Sequence, residues 1–161
     1  MGASDRETTM PSKDEAAIRE LIKARNAAVY EGDAKRAVAP LAMDVVAYDL
    51  QPPLQIVGAA ARDADAVAAW LATWEGPVEI EMRDPVVAVD GDLAFAHGLG
   101  RMYGTKKEFG TGAFWYRTTL CLKRMAGAWS VVHEHNSVPM KMDGSGLAAT
   151  DLQPDTNSDN A

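Results

Sequence analysis

Apolar residues recur at helical spacing in two parts of the chain and at strand spacing in the rest. After Ser12, which stands three positions before Glu15 in a capping-box pattern, Ile18, Leu21, Ile22, Arg25, Ala28 and Val29 mark one face of an amphipathic helix. It ends at Glu31-Gly32-Asp33, where Gly32 suits a left-handed cap and Asp33 opens a shorter second helix reaching about Leu41. Val45 to Leu50 is β-branched and aromatic, stops at Pro52-Pro53, and reads as a short edge strand. Val67, Trp70, Leu71 and Trp74 set the stripe of a third helix between Asp63 and the Gly76-Pro77 stop. From Val78 to Pro139 the pattern is strand and turn. Four long antiparallel strands are expected at Val78–Val89, Leu93–Tyr103, Ala113–Arg124 and Trp129–Val138, with tight turns at Asp90-Gly91-Asp92 and Ala126-Gly127. A helical hairpin, a strand, a helix and a four-strand meander give an α+β domain whose curved sheet wraps helices around a pocket.

Length and composition narrow this further. The chain of 161 residues suits one domain, expected over residues 12–141, with weakly ordered ends at 1–11 and 142–161 rich in Gly, Ser, Asp and Asn. A net charge of −7 opposes binding to nucleic acid or to anionic membranes. No run approaches the ~20 apolar residues of a membrane span, and Met1 to Glu15 has no signal-peptide core, so a cytoplasmic protein is the expectation. Cys121 is the single cysteine, which excludes an internal disulfide and a cysteine-built zinc site.

The element order, together with Gly32-Asp33, Asp44 through Asp49, the Pro52-Pro53 turn, Gly58 and the closing run Trp129…His133-Glu134-His135-Asn136-Ser137-Val138-Pro139, resembles the SnoaL-like, ketosteroid-isomerase-related branch of the nuclear transport factor 2-like superfamily. The similarity covers roughly Ser12 to Pro139. It implies a cone-shaped, cystatin-like fold, a homodimer through the outer face of the sheet, and a pocket used for isomerisation, cyclisation (as in polyketide cyclases), dehydration, epoxide hydrolysis or binding alone. No cofactor is implied.

The resemblance places Asp49 where the family's general-base aspartate stands, at the end of the first strand. A base acting beside a carbonyl needs a partly desolvated carboxylate; the other reading of Asp49 is a strand-end residue that satisfies backbone donors before Pro52. In ketosteroid isomerase that base faces a tyrosine and a protonated aspartate. Here those positions hold Arg25 and Thr119, so the neutral-donor hole is absent and a steroid isomerase is not the expectation. Arg25 lies on the apolar stripe of the first helix, and a buried guanidinium needs an anion: Asp49, Glu134 or a ligand carboxylate.

On the third meander strand Trp115, Arg117, Thr119 and Cys121 alternate with Phe114, Tyr116, Thr118, Leu120 and Leu122. The resemblance turns the first set towards the pocket, making Trp115 a wall and Arg117 a second anion anchor; a bulge would exchange the faces. On the last strand it turns Glu134 and Asn136 inward, to serve a ligand or only the pocket's shape. Trp70 and Trp74 are expected at the mouth as wall or core.

Three functions follow. One is general-base chemistry at Asp49 on a small apolar molecule with a carbonyl or carboxylate; another is a non-catalytic binding or homo-oligomerisation module. The last is a zinc hydrolase built on His97, His133 and His135.

Overall fold

The computed structural model describes residues 11–154; the expected weak order of residues 1–10 and 155–161 lies outside the described residues. Helix α1 (Lys13–Tyr30) starts as its capping box dictates, the Ser12 hydroxyl accepting the Glu15 amide at 3.1 Å. It ends at Gly32, which takes φ +75°, a conformation that costs glycine nothing. Asp33 accepts the Arg36 amide and caps α2 (Ala34–Val38), which stops short of Leu41 because strand β1 (Leu41–Tyr48) begins there. A two-residue strand β2 (Ile56–Val57) covers the free edge of β1, so β1 is not itself the edge. Helix α3 (Ala64–Leu71), capped by the Asp63 carboxylate, ends before Trp74.

The remaining chain forms β3 (Glu79–Asp90), β4 (Leu93–Lys106), β5 (Gly110–Met125) and β6 (Ala128–Ser137). The sheet order is β2-β1-β6-β5-β4-β3, antiparallel except where β1 runs parallel to β6. Helix α1 lies across β3 on the inner face, and Ile18, Val45, Leu122 and Val131, each under 2 % exposed, meet beneath it. At the base, Arg124 on β5 holds Asp14 of α1 through two bonds of 2.9 Å and stacks over Trp129, which also donates to Asp14.

Two local features set which residues face inward. The inner face of β4 is nearly bare: Gly98, Gly100 and Gly104 alternate with outward side chains. A Cβ on Gly100 would stand 2.4 Å from the Tyr116 ring, and one on Gly104 would stand 3.0 Å from the Trp74 ring. These glycines are the room in which neighbouring aromatics lie. In β6, Cys121 pairs with His133 but the next residue, Leu122, pairs with Val131, so Val132 is an extra residue in the strand. The bulge breaks the simple alternation of this strand. Trp129 and Val131 face the core before it, and Glu134 and Asn136 face inward after it.

Beyond β6, where a weakly ordered tail was expected from Met142, the chain doubles back. Met140 bridges Ala148, Ala149 donates to the Pro139 carbonyl at 2.7 Å, and the Ala149 side chain is buried.

Gly100→Ala is expected to destabilise the fold by about 1–3 kcal/mol, because the Tyr116 ring must leave its place. Gly112→Ala, whose Cβ would meet nothing within 4 Å, is the control and should change stability by no more than about 0.5 kcal/mol. Urea denaturation of the two variants checks both.

Candidate functional site

Between α1, α3 and the concave face of the sheet lies a cavity of about 470 Å³, walled mainly by apolar side chains that include Ile22, Val29, Val67, Trp70, Met102 and Phe114. This is an ordinary size for a small-molecule site. One band of polar groups crosses it.

The band follows from strand register. Ala47 of β1 lies beside Glu134 of β6, and two residues further along both parallel strands Asp49 meets Asn136. The Asn136 amide donates to Asp49 Oδ1 at 3.3 Å and to Glu134 Oε1 at 3.4 Å, holding two carboxylates apart. From α1, Arg25 donates to Glu134 Oε2 at 2.9 Å and, through Nε, to the Ala37 carbonyl at 3.1 Å. Arg25 therefore pairs with Glu134 and not with Asp49. Asp49 accepts the Leu50 amide at 2.8 Å on the same oxygen that Asn136 reaches, which leaves Oδ2 without a donor among the described residues. Asn136 Oδ1 is buried and unpartnered.

Burial opposes both charges of the Arg25–Glu134 pair, but their mutual attraction and hydrogen bond outweigh it. The result is a guanidinium held above its ordinary range and a carboxyl held below its own, with the Asn136 bond adding to the latter. Tyr116 on β5 lies beside this pair. Burial, and then the Glu134 carboxylate, push its phenol up to about 12, and no hydrogen bond from a described residue contributes. It is a neutral donor at any physiological pH. Arg25 is the one cationic side chain lining the cavity among the described residues, against Asp49, Asp63, Glu81 and Glu134.

Asp49, Arg25, Trp70, Glu134 and Asn136 thus border one cavity. Trp74 does not: it lies past α3, against Gly104, with Lys106 4.7 Å above its ring. Trp115, Arg117 and Thr119 require a correction. They point to the outer face of the sheet, where Arg117 donates to the Ser137 hydroxyl at 3.1 Å, and the inward residues of β5 are Phe114, Tyr116, Thr118 and Leu120. The cause is burial. The second set is the more apolar, and the sheet turns it inward, pairing it with the glycine face of β4. Tyr116 and Thr118 were missed for this reason, although choosing the more apolar face would have found them.

The three histidines do not converge on the cavity. His97 and His135 each pair with Thr119 from opposite sides, so a whole strand separates them, and the His133 ring bonds the Val46 carbonyl at 2.7 Å. Among the described residues no group of three His, Cys, Asp or Glu side chains is placed to hold a metal. Nor is any helix among them long and apolar enough to cross a membrane.

The SnoaL-like domain model matches residues 18–141, and the chain belongs to that family. A nuclear transport factor 2-like protein of unknown function from Pseudomonas putida is 34% identical, with 90% of this chain and 99% of that one covered and a TM-score of 0.78. The same fold is found in a ketosteroid isomerase-like protein from Erwinia carotovora atroseptica, at 21% identity, 79% and 97% coverage and a TM-score of 0.64. It recurs in a protein with a cystatin-like fold from Novosphingobium aromaticivorans, at 22% identity, 88% and 90% coverage and a TM-score of 0.64. No curated protein matches the chain.

Removing one partner of this partly buried pair leaves the other uncompensated, so Glu134→Gln should cost about 1–3 kcal/mol at pH 7 by chemical denaturation. The Glu134 carboxyl is lowered in the folded state. Its contribution is therefore complete above the unfolded value of about 4.3 and fades as pH falls through the folded value. The wild type should lose this increment in acid, and Glu134→Gln should show a correspondingly flatter acid limb.

Proposed function

We propose that this chain binds a small, neutral, largely apolar molecule bearing a carbonyl oxygen and acts on it by general-base catalysis at Asp49, with no cofactor. One observation carries the reading: Glu134 takes up the charge of Arg25, which leaves Asp49 at the cavity without a cationic partner among the described residues. A carboxylate paired with a guanidinium is a poor base. Asp49 is exposed at the cavity's edge with one oxygen free, so the desolvation that strengthens a base comes, in this reading, from the apolar ligand that covers it.

The same pairing revises the ligand. Arg25 is neutralised, Arg117 is outside, and the remaining lining charges are acidic, so a carboxylate-bearing ligand would meet net repulsion. A ketone or similar molecule meets none. In the proposed reaction Asp49 removes a proton from the carbon next to the carbonyl. The bonding pair moves to the carbonyl oxygen, which accepts a hydrogen bond from the neutral Tyr116 hydroxyl. Where a carbon–carbon double bond adjoins that carbon, returning the proton from Asp49 to the far end of the dienolate gives an isomer. Attack of the carbanion on a second carbonyl of the same molecule gives a ring whose new alkoxide takes the proton back from Asp49. Asn136 fixes the Asp49 side chain and is a positioning residue.

A second reading has its own support. The outer face of the sheet exposes Val86, Phe95, Leu99 and Tyr103, an apolar surface suited to a homodimer. In that case the chain serves as a binding or assembly module, with the cavity holding a ligand it does not alter.

Exchange of carbonyl-adjacent protons of 2-undecanone in deuterium oxide, followed by proton magnetic resonance, separates the readings without knowledge of the natural substrate. Wild-type protein should speed exchange, and Asp49→Asn should lower the rate by about 10²–10⁴-fold with ketone affinity and fold retained. Tyr116→Phe should lower it about tenfold or more by removing one donor. Binding without exchange in the wild type would leave the non-catalytic reading standing, and undiminished exchange in Asp49→Asn would remove Asp49 from the mechanism.

A further inference from the structure

A groove of about 520 Å³ runs along the outside of the molecule between α1 and β3. It is bordered on α1 by Lys23, Ala27 and Tyr30 and on β3 by Glu79 and Pro85. Ile22 and Asn26 of α1 and Ile80, Glu81 and Met82 of β3 line both this groove and the inner cavity. The wall between the two spaces is therefore one layer of side chains, contributed by two elements that meet only through side chains at this point.

That layer is built to yield. Met82 is unbranched and adapts to irregular gaps. Behind it Gly98 supplies no Cβ, and one there would stand 3.0 Å from Met82 Cγ, so Met82 rests on bare backbone with no side chain of β4 interdigitating with it. Immediately after Met82, strand β3 carries a bulge: Arg83 pairs with Leu99 and Val86 with His97, with Asp84 and Pro85 facing a single residue of β4. Asp84 takes φ +43°, an unfavourable value for a residue with a side chain. The bulged segment is held against α1 by one bond, from Arg19 to the Pro85 carbonyl at 2.7 Å. Asn26 and the exposed Glu81 are the polar residues of the wall and give the passage a wet edge.

We propose that the wall between Ile22, Asn26, Ile80 and Met82 parts to admit the tail of an elongated ligand, whose carbonyl head lies at Asp49 and Tyr116 and whose alkyl chain leaves between α1 and β3. This rests on the cavity being the ligand site, as proposed above, and adds that its ligand is a long-chain molecule rather than a compact ring. The chain's far end reaches a polar rim, so a terminal polar group is tolerated there.

Two ketones probe this, 2-nonanone for the inner cavity and 2-pentadecanone for the full path, with binding followed by tryptophan fluorescence because Trp70 lines the cavity. Affinity of the wild type should rise about fourfold per added methylene, equivalent to about 0.8 kcal/mol each, up to 2-pentadecanone. Ala27→Trp fills the groove from a half-exposed helix position outside the inner cavity. It should leave 2-nonanone binding within twofold of wild type and weaken 2-pentadecanone at least tenfold. Equal binding of 2-pentadecanone by both proteins would overturn the proposal, as would electron density showing its chain coiled inside the cavity. Failure of even 2-nonanone to bind would remove the apolar-cavity reading together with it.

Discussion

The bond between Arg25 and Glu134 is the constraint on which the site depends. It joins the first helix to the last strand across 109 positions of sequence, and through Nε it also ties in the end of α2. Each charge alone would be costly in this largely apolar enclosure, and the pair is tolerable because each satisfies the other. Its consequences spread outward. Glu134 is occupied, so Asn136 bridges from it to Asp49; Arg25 is occupied, so Asp49 keeps an oxygen free; burial, reinforced by the neighbouring Glu134 carboxylate, raises the Tyr116 phenol.

Space for this arrangement is made on β4. A strand with side chains at 98, 100 and 104 would fill the concave face from behind, whereas glycine at each lets Met82, Tyr116 and Trp74 lie flat against the backbone. The same economy of volume leaves the wall towards α1 to a flexible methionine, Met82, resting on bare strand backbone. Cavity and proposed exit thus have one structural origin in the glycine face of a central strand.

Much of the fold was legible because its signals are local. The Ser12–Glu15 cap, the turn at Gly32, the Asp63 cap and the strand boundaries depend on neighbours within a few residues, and the structure reproduces them to within a few positions. The site was less legible because it depends on register. The reading of Trp115, Arg117 and Thr119 as inward came from similarity to a distant family, while the apolar character of Phe114, Tyr116 and Leu120 pointed the other way and proved the better guide. On β6 the extra residue Val132 changes the inward phase within a single strand, which no alternation pattern reveals. Arg25 was visibly in need of an anion, yet which of Asp49, Glu134 or a ligand would supply it was decided only when β1 and β6 came together in parallel.

In the proposed function the Arg25–Glu134 pair makes this a cavity for neutral ligands. The most direct measurement compares the affinities of 2-undecanone and undecanoate, nearly equal in shape and different in charge, for the wild type and for Glu134→Gln. The wild type should prefer the ketone by at least tenfold, and Glu134→Gln, with Arg25 released, should shift the preference towards the carboxylate. A wild type that binds undecanoate more tightly than the ketone would contradict it.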